Sequence, residues 1–261
     1  MSRKFRYFSI LLVVAAMTLG LTVPAQAGFI YSQTQVTGDA DSGIGLAGGG
    51  YDPSAYTHAV DIYFKSFSAA GYTVNGVPFT PSFVASSSTA TGSGGTAPFT
   101  WSWTAGNRYS AYGWGKTHTV TGQIALVGDE FMGTGAGTPM TVTLNGLTAG
   151  WTYKLSLFEQ QAWLGVGDGI ATLTNNANSD AFQYHTGHLS TSSTDIPIDR
   201  VDVTYIAPAG GSITFTVANT SDRAPDVGAF ANAFVIPEPS TLALLATGLI
   251  GLLCYAWRKR K

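Results

Sequence analysis

Aromatic and amide side chains with the chemistry of a sugar-binding site occur in two short segments of the sequence. Trp114 lies between two glycines, and Trp163 follows closely after Glu159 and Gln161. An indole ring can pack against the C–H face of a sugar while amides and carboxylates bind its hydroxyls. These residues predict an exposed glycan-binding site near Trp163 or Trp114. Core packing, a standard role of tryptophan in β-sandwiches, is the competing and stronger interpretation.

Two acidic residues, Asp39 and Asp41, are spaced like the opening ligands of a calcium loop. Calcium takes about six to eight oxygen ligands, so distant groups such as Asp226 would have to complete the site. A solvated acidic turn is the alternative that we favour. His185 and His188 have zinc-ligand chemistry, but no helix bearing a glutamate accompanies them. We therefore expect no metal and no other cofactor, with calcium as a weak candidate.

The carboxylates that could serve a glycosidase are Asp129, Glu130, Glu159 and Asp168. A glycosidase needs two of them across a cleft, and their spacing does not place any two face to face. The sequence has no G-x-S-x-G nucleophile motif, and its one cysteine, Cys254, lies in a C-terminal apolar run. We expect a protein that is not an enzyme, with a secreted hydrolase as the least favoured class.

Short strands dominate the region between the two ends of the chain. Apolar and polar residues alternate at residues 140–144, 153–157, 201–205 and 213–217, and Asn75-Gly76 is typical of a type I′ hairpin turn. Trp101 and Trp103 lie on one face if their segment is a strand. The pattern predicts an all-β fold, a two-sheet antiparallel β-sandwich of the jelly-roll type.

Two segments lack the apolar residues needed for packing. Residues 86–98 are a run of Ser, Thr, Gly and Ala, and residues 43–50 contain G-x-G-x-x-G without the strand and helix of a dinucleotide-binding unit. We expect both segments to be flexible loops.

Residues 1–27 have the features of a secretory signal peptide. Basic residues precede an apolar run at residues 10–23, and Ala25 and Ala27 supply the small side chains that signal peptidase requires. An uncleaved anchor is the alternative. The single domain is expected at residues 28–236.

Residues 237–261 form a second processing segment. Pro237, Glu238 and Pro239 precede an apolar run at residues 241–257 and a terminal Arg-Lys-Arg-Lys. As a helix the run is about 26 Å long, which predicts a transmembrane helix in the inner membrane with its basic end in the cytoplasm. Because proline disfavours helix, the motif is expected to stay extended.

This segment resembles the PEP-CTERM sorting signal of Gram-negative bacteria. The Pro-Glu-Pro motif, the short apolar run and the basic end all agree with that signal. The resemblance implies that an exosortase recognises and cuts the tail. It also implies delivery to the cell surface or extracellular matrix, together with exopolysaccharide or a biofilm.

Three motifs of the middle region, at residues 73–79, 144–153 and 232–234, are similar to secreted jelly-roll modules of the galactose-binding-like kind. The resemblance implies a jelly-roll fold and keeps a carbohydrate-binding module as the alternative function.

Charge argues against nucleic acid as a partner. Of 13 Lys and Arg residues, seven lie at the two ends, so six remain for the exported part, against 14 of the 15 Asp and Glu. The exported part is therefore near −8, which repels polyanions. We expect a non-catalytic surface or matrix protein, with signal peptidase, exosortase, the inner membrane and exopolysaccharide as its partners.

Overall fold

The computed structural model of the protein describes residues 29–64, 71–84, 90–105, 120–124, 132–133, 139–160, 169–186, 198–219, 226–235 and 239–259. In chain order, the described strands are β1 (Ile30–Val36), β2 (Tyr56–Phe64), β3 (Thr73–Val74), β4 (Val77–Pro78), β5 (Thr80–Val84), β6 (Ala90–Thr96), β7 (Phe99–Ala105), β8 (Met132–Gly133), β9 (Met140–Asn145), β10 (Thr152–Gln160), β11 (Gly169–Asn175), β12 (Asp180–Thr186), β13 (Ile198–Ile206), β14 (Ser212–Asn219) and β15 (Asp226–Phe234). A helix, α1 (Pro239–Arg258), follows them.

Two sheets account for nearly all of these strands. Sheet I has the order β1-β13-β10-β15-β2-β5, with β8 beside β15, and sheet II has the order β12-β11-β14-β9-β7-β6. Among the described pairs within these sheets, β2 and β5 run parallel and the others run antiparallel. The predicted all-β, two-sheet sandwich is confirmed.

The main core lies between the two sheets, because alternate residues of each strand point inward. Inward residues of sheet I, such as Leu155 and Val203, join inward residues of sheet II, such as Val142, in one buried cluster. Aromatic rings connect the sheets directly: Tyr205 meets Phe215 edge-on, with ring centroids 5.2 Å apart. Trp101 and Trp103 are both buried in this cluster, as their shared face requires.

A second apolar cluster covers the outer face of sheet I. Phe158 and Ile198 point outward from β10 and β13, and they pack against Ile44 and the β3–β4 hairpin. The hairpin turn has the expected positive φ angles, 47° at Asn75 and 86° at Gly76. Sheet I is therefore buried on both faces, which explains why β15 is apolar at consecutive positions.

Within residues 86–98, the described part (residues 90–98) does not form the flexible loop that its composition predicts. Most of the segment is β6, which pairs with β7 so that Gly92 lies opposite Trp103. A Cβ atom at Gly92 would lie 2.3 Å from the Trp103 indole nitrogen, and one at Gly94 would lie 2.7 Å from the Trp101 ring. The glycines leave room for the two indole rings. A segment without large apolar side chains of its own is therefore held as an edge strand by its pairing with β7.

Residues 43–50 also differ from the prediction, because hydrogen bonds hold this segment in a defined turn. The Gly43 N–H donates to the Gly48 carbonyl, and the Tyr56 hydroxyl accepts from Gly45 N–H and donates to the Gly43 carbonyl. The turn caps the second cluster and leads into β2.

The two ends of the described sandwich differ in what they carry. We call one the base: β1 begins there, with Ile30 opposite Thr204, and β15 ends there, with Phe234 opposite Tyr153. At the other, distal end, Gln160 lies opposite Ile198. The chain therefore enters and leaves the sandwich at the base.

Helix α1 begins at Pro239, the last residue of the Pro-Glu-Pro motif and two positions before the predicted apolar run. The expectation that the motif stays extended is therefore wrong at Pro239. Proline fits the first turn of a helix because the N–H it lacks would be unpaired there. Within the described residues, no helix combines the length and apolar character needed to cross a membrane. The expected transmembrane helix is thus not confirmed.

Candidate functional site

Glu159 lies between the sheets near the distal end, and it is only 4% exposed. Its carboxylate accepts a hydrogen bond from the Tyr184 hydroxyl, which reaches across from sheet II. Burial and the nearby Glu159 charge raise the pKa of Tyr184 well above its ordinary value, so the hydroxyl keeps its proton. Glu159 therefore joins the two sheets, and it leads directly into the segment that contains Gln161 and Trp163.

Asp199, which the sequence did not single out, lies opposite Glu159 in the β10–β13 ladder and is also 4% exposed. The Gln33 side-chain amide donates to its carboxylate at 3.4 Å and to the His185 carbonyl at 2.6 Å. The sequence did contain a signal for the burial of Asp199. Residues 199 and 201 share one face of β13, so the alternation that predicts a buried Val201 also predicts an inward-facing Asp199. Since both carboxylates are buried, neither presents the open surface that a sugar would need.

Asp39 and Asp41 hold loops together in this structure. The Asp39 carboxylate accepts backbone N–H groups of Gln123 at 3.0 Å and Ile124 at 2.8 Å. Burial raises the pKa of Asp41, but hydrogen bonds from the Thr37 hydroxyl and nearby backbone N–H groups outweigh this and lower it. Among the described residues, no group of three or more His, Cys, Asp or Glu is placed to hold a metal. Calcium at Asp39 and Asp41 stays a prediction.

The other predicted site residues fall outside the described residues. They are Trp114, Gln161 and Trp163 of the glycan-binding prediction, Asp129, Glu130 and Asp168 of the glycosidase alternative, His188 of the zinc alternative, Ala25 and Ala27 of the signal cleavage site, and Pro237 and Glu238 of the sorting motif. The strands that lead into the two tryptophan segments both end at the distal end, β7 at Ala105 and β10 at Gln160. The glycan-binding prediction therefore remains open, and its two segments start from the same end of the sandwich.

An aromatic pair with one exposed member lies at the base of the sandwich. Trp151 is 49% exposed and packs on Phe234, with ring centroids 4.5 Å apart. The Val235 N–H donates to the Thr152 carbonyl at 2.9 Å, which extends the β15 pairing by one residue. The folded domain thus continues to Val235, two positions before Pro237.

Comparison with known families identifies this C-terminal segment. Residues 235–261 match the PEP-CTERM protein-sorting motif. The predicted sorting signal is therefore confirmed, and such a signal marks an exported, surface-directed protein that is processed by an exosortase. No curated protein sequence matches the chain.

Solved structures similar to the chain include carbohydrate-binding modules at low similarity. CBM35 from Cellvibrio japonicus Abf62 is 14% identical, with a TM-score of 0.32 over 42% of this chain and 75% of that one. Xyl-CBM35 in complex with a glucuronic acid containing disaccharide is 14% identical, with a TM-score of 0.32 over 50% and 92%. The CBM22-1 xylan-binding domain from Paenibacillus barcinonensis Xyn10C is 10% identical, with a TM-score of 0.30 over 70% and 96%.

Proposed function

We propose that the protein is an exported, non-catalytic β-sandwich that an exosortase processes and that acts at the cell surface or in the exopolysaccharide matrix of a Gram-negative biofilm. The observation that carries this proposal is the PEP-CTERM motif at residues 235–261, which begins directly after the last strand. Its role would be structural or adhesive, through contacts with the surrounding polysaccharide.

The placement of the chain ends supports this role. Both β1 and β15 meet their processing segments at the base, so the distal end lies at the opposite end of the sandwich from the point where the chain leads into the sorting tail. A protein presented in this way can contact a matrix while its tail is still held by the processing enzyme.

A carbohydrate-binding module that uses Trp114, Trp163 and Gln161 is the second candidate. One observation favours it: β7 and β10, which precede these residues, end on the same side of the sandwich. In this proposal the buried Glu159 would position the segment that carries Trp163 and would not itself touch the sugar.

Replacing Pro237, Glu238 and Pro239 together with alanine tests the sorting proposal. We expect the variant to keep its C-terminus and to stay with the cell, because the exosortase loses its recognition motif. The measurement is the intact mass of the protein inside and outside the cell, for the variant and for a strain without the exosortase. A Pro208→Ala variant is the control, since this proline lies outside the motif. Release of the variant at an unchanged mass would contradict the proposal.

A further inference from the structure

The outer face of sheet II is unusual in composition, because it is polar without being charged. Strands β6, β7, β9, β11 and β14 contain no Asp, Glu, Lys or Arg. Their outward positions are instead filled mainly by threonine and serine. A solvated sheet face ordinarily carries Lys and Glu as well, so this composition is a feature to be explained.

Strand register arranges these side chains in rows across the sheet. Cross-strand pairing aligns five threonines, one from each of the five strands, and next to them four further hydroxyls from four strands. Adjacent strands lie about 4.8 Å apart and alternate residues about 6.7 Å apart, so the first row is about 19 Å long. We call these nine residues the hydroxyl face: Thr91, Thr104, Thr141, Thr216 and Thr174 in the first row, and Ser93, Ser102, Thr143 and Thr214 in the second.

Neighbouring hydroxyls of this face orient one another. The Thr104 and Thr141 hydroxyl oxygens are 2.6 Å apart, and those of Thr143 and Thr214 are 2.9 Å apart. A hydroxyl has one donor and two acceptor positions, so each member of a pair keeps capacity for a further partner. β-branched threonine also has few rotamers, so ordering it on binding costs little entropy.

The outer face of sheet I provides an internal comparison. It is covered by the second apolar cluster, and its polar positions carry Lys154, Arg200 and Asp202 in an ion-pair network. On the hydroxyl face, Thr91, Ser93 and Thr104 are exposed and the other six residues are half-buried. The two faces of the sandwich are thus built for different surroundings.

We propose that the hydroxyl face binds a neutral, hydroxyl-rich polysaccharide. Uncharged, periodically spaced hydroxyls can donate to and accept from sugar hydroxyls along an extended chain, with many weak contacts adding up. The face offers no cation to attract an anionic polymer, and the negative exported part opposes one. The inference rests on the proposed matrix function and names the class of polysaccharide involved.

The test removes hydroxyls while keeping shape. In a Thr141→Val/Thr216→Val variant, valine preserves β-branching and strand propensity. The hydrogen bonds that are lost, to Thr104 and Asn176, lie on the exposed surface, so the fold should be kept. Mature exported protein is applied to cellulose, dextran, alginate and the host exopolysaccharide, and retention is measured. We expect the wild type to bind a neutral polymer in preference to alginate, and the variant to bind about tenfold more weakly. A Thr141→Ser/Thr216→Ser variant should restore binding, and Thr34→Val, on the exposed edge of sheet I, should not reduce it.

The other outcomes separate this inference from the proposed function. If the wild type is retained and the valine variant binds equally well, the hydroxyl face is not the binding site and the inference fails. Loss of binding in Trp163→Ala alone would then place the site at the distal end. If the wild type is retained by none of the polymers, the matrix function itself fails.

Discussion

His58 gives the sandwich a pH dependence that can be worked out from its contacts. The imidazole is 4% exposed, with Nε2 3.1 Å from the Thr100 carbonyl oxygen and Nδ1 2.9 Å from the Thr57 hydroxyl. Because a carbonyl can only accept, Nε2 carries the proton and donates it, and Nδ1 accepts from Thr57. The ring is therefore held as the neutral form, with both nitrogens in use.

Burial lowers the pKa of His58 to about 4, and the hydrogen bond to the Thr100 carbonyl only partly opposes this. In the unfolded chain the pKa returns to about 6.5. As the pH falls below about 6.5, the unfolded state takes up a proton that the folded state refuses. Stability is thus lost between about pH 6.5 and pH 4, and at pH 5 the loss is about 2 kcal/mol.

The measurement compares urea unfolding of the wild type and a His58→Gln variant at pH 7.5 and pH 5. Carboxylates titrate similarly in both proteins, so their contribution cancels in the difference. We expect the wild type to lose about 2 kcal/mol more than the variant between the two pH values. Gly92→Ala is the control, because it retains His58 and should keep the wild-type pH dependence while lowering stability at both pH values. Equal losses in wild type and His58→Gln would refute the reasoning.

Two further substitutions test contacts within the core, both by chemical denaturation. Gly92→Ala should lower the free energy of unfolding by about 1–3 kcal/mol, because the new Cβ would overlap the Trp103 indole. Gly210→Ala is the control: a Cβ there would have no atom within 4 Å, so the free energy of unfolding should change by less than about 0.5 kcal/mol. Equal effects would show that the Trp103 ring does not lie over the strand. Tyr205→Phe should cost about 1–2 kcal/mol, since the Tyr205 hydroxyl donates to the Asn232 amide oxygen at 2.9 Å inside the core. An unchanged stability would mean that this hydrogen bond is absent in solution.

Strands with clean alternation were predictable because their own side chains specify the buried face. β9 and β14 contain M-T-V-T-L and I-T-F-T-V, and the structure buries every apolar position of these segments. The tight β3–β4 turn was predictable for a similar reason, because Asn75-Gly76 tolerates the positive φ angles locally. In each case the information lies within a few residues of the chain.

β6 was not predictable in this way, because its stability comes from β7. Gly92 and Gly94 make the segment look like a linker, yet they are the positions that the Trp103 and Trp101 rings require. The environment of the candidate site was also not predictable from its own segment. Glu159 was identified as a polar residue near Trp163, but its burial depends on Tyr184, which lies 25 positions away in the sequence and in the other sheet.

The distribution of basic residues connects the stability of the fold with its proposed surface role. Within the described part of the sandwich, Lys154 and Arg200 are the only Lys and Arg residues, and both contact Asp202, with N–O distances of 3.6 and 3.0 Å. Arg200 also donates to the Asp41 carbonyl, and Lys154 lies over the Tyr51 ring.

These contacts hold the segment before β2 against the outer face of sheet I. Positive charge in this region therefore serves internal packing, while sheet II presents mainly hydroxyls on its five adjacent uncharged strands. Such a surface gains nothing from long-range attraction to a polyanion, so its selectivity must come from short-range hydrogen bonding to a partner of matching spacing.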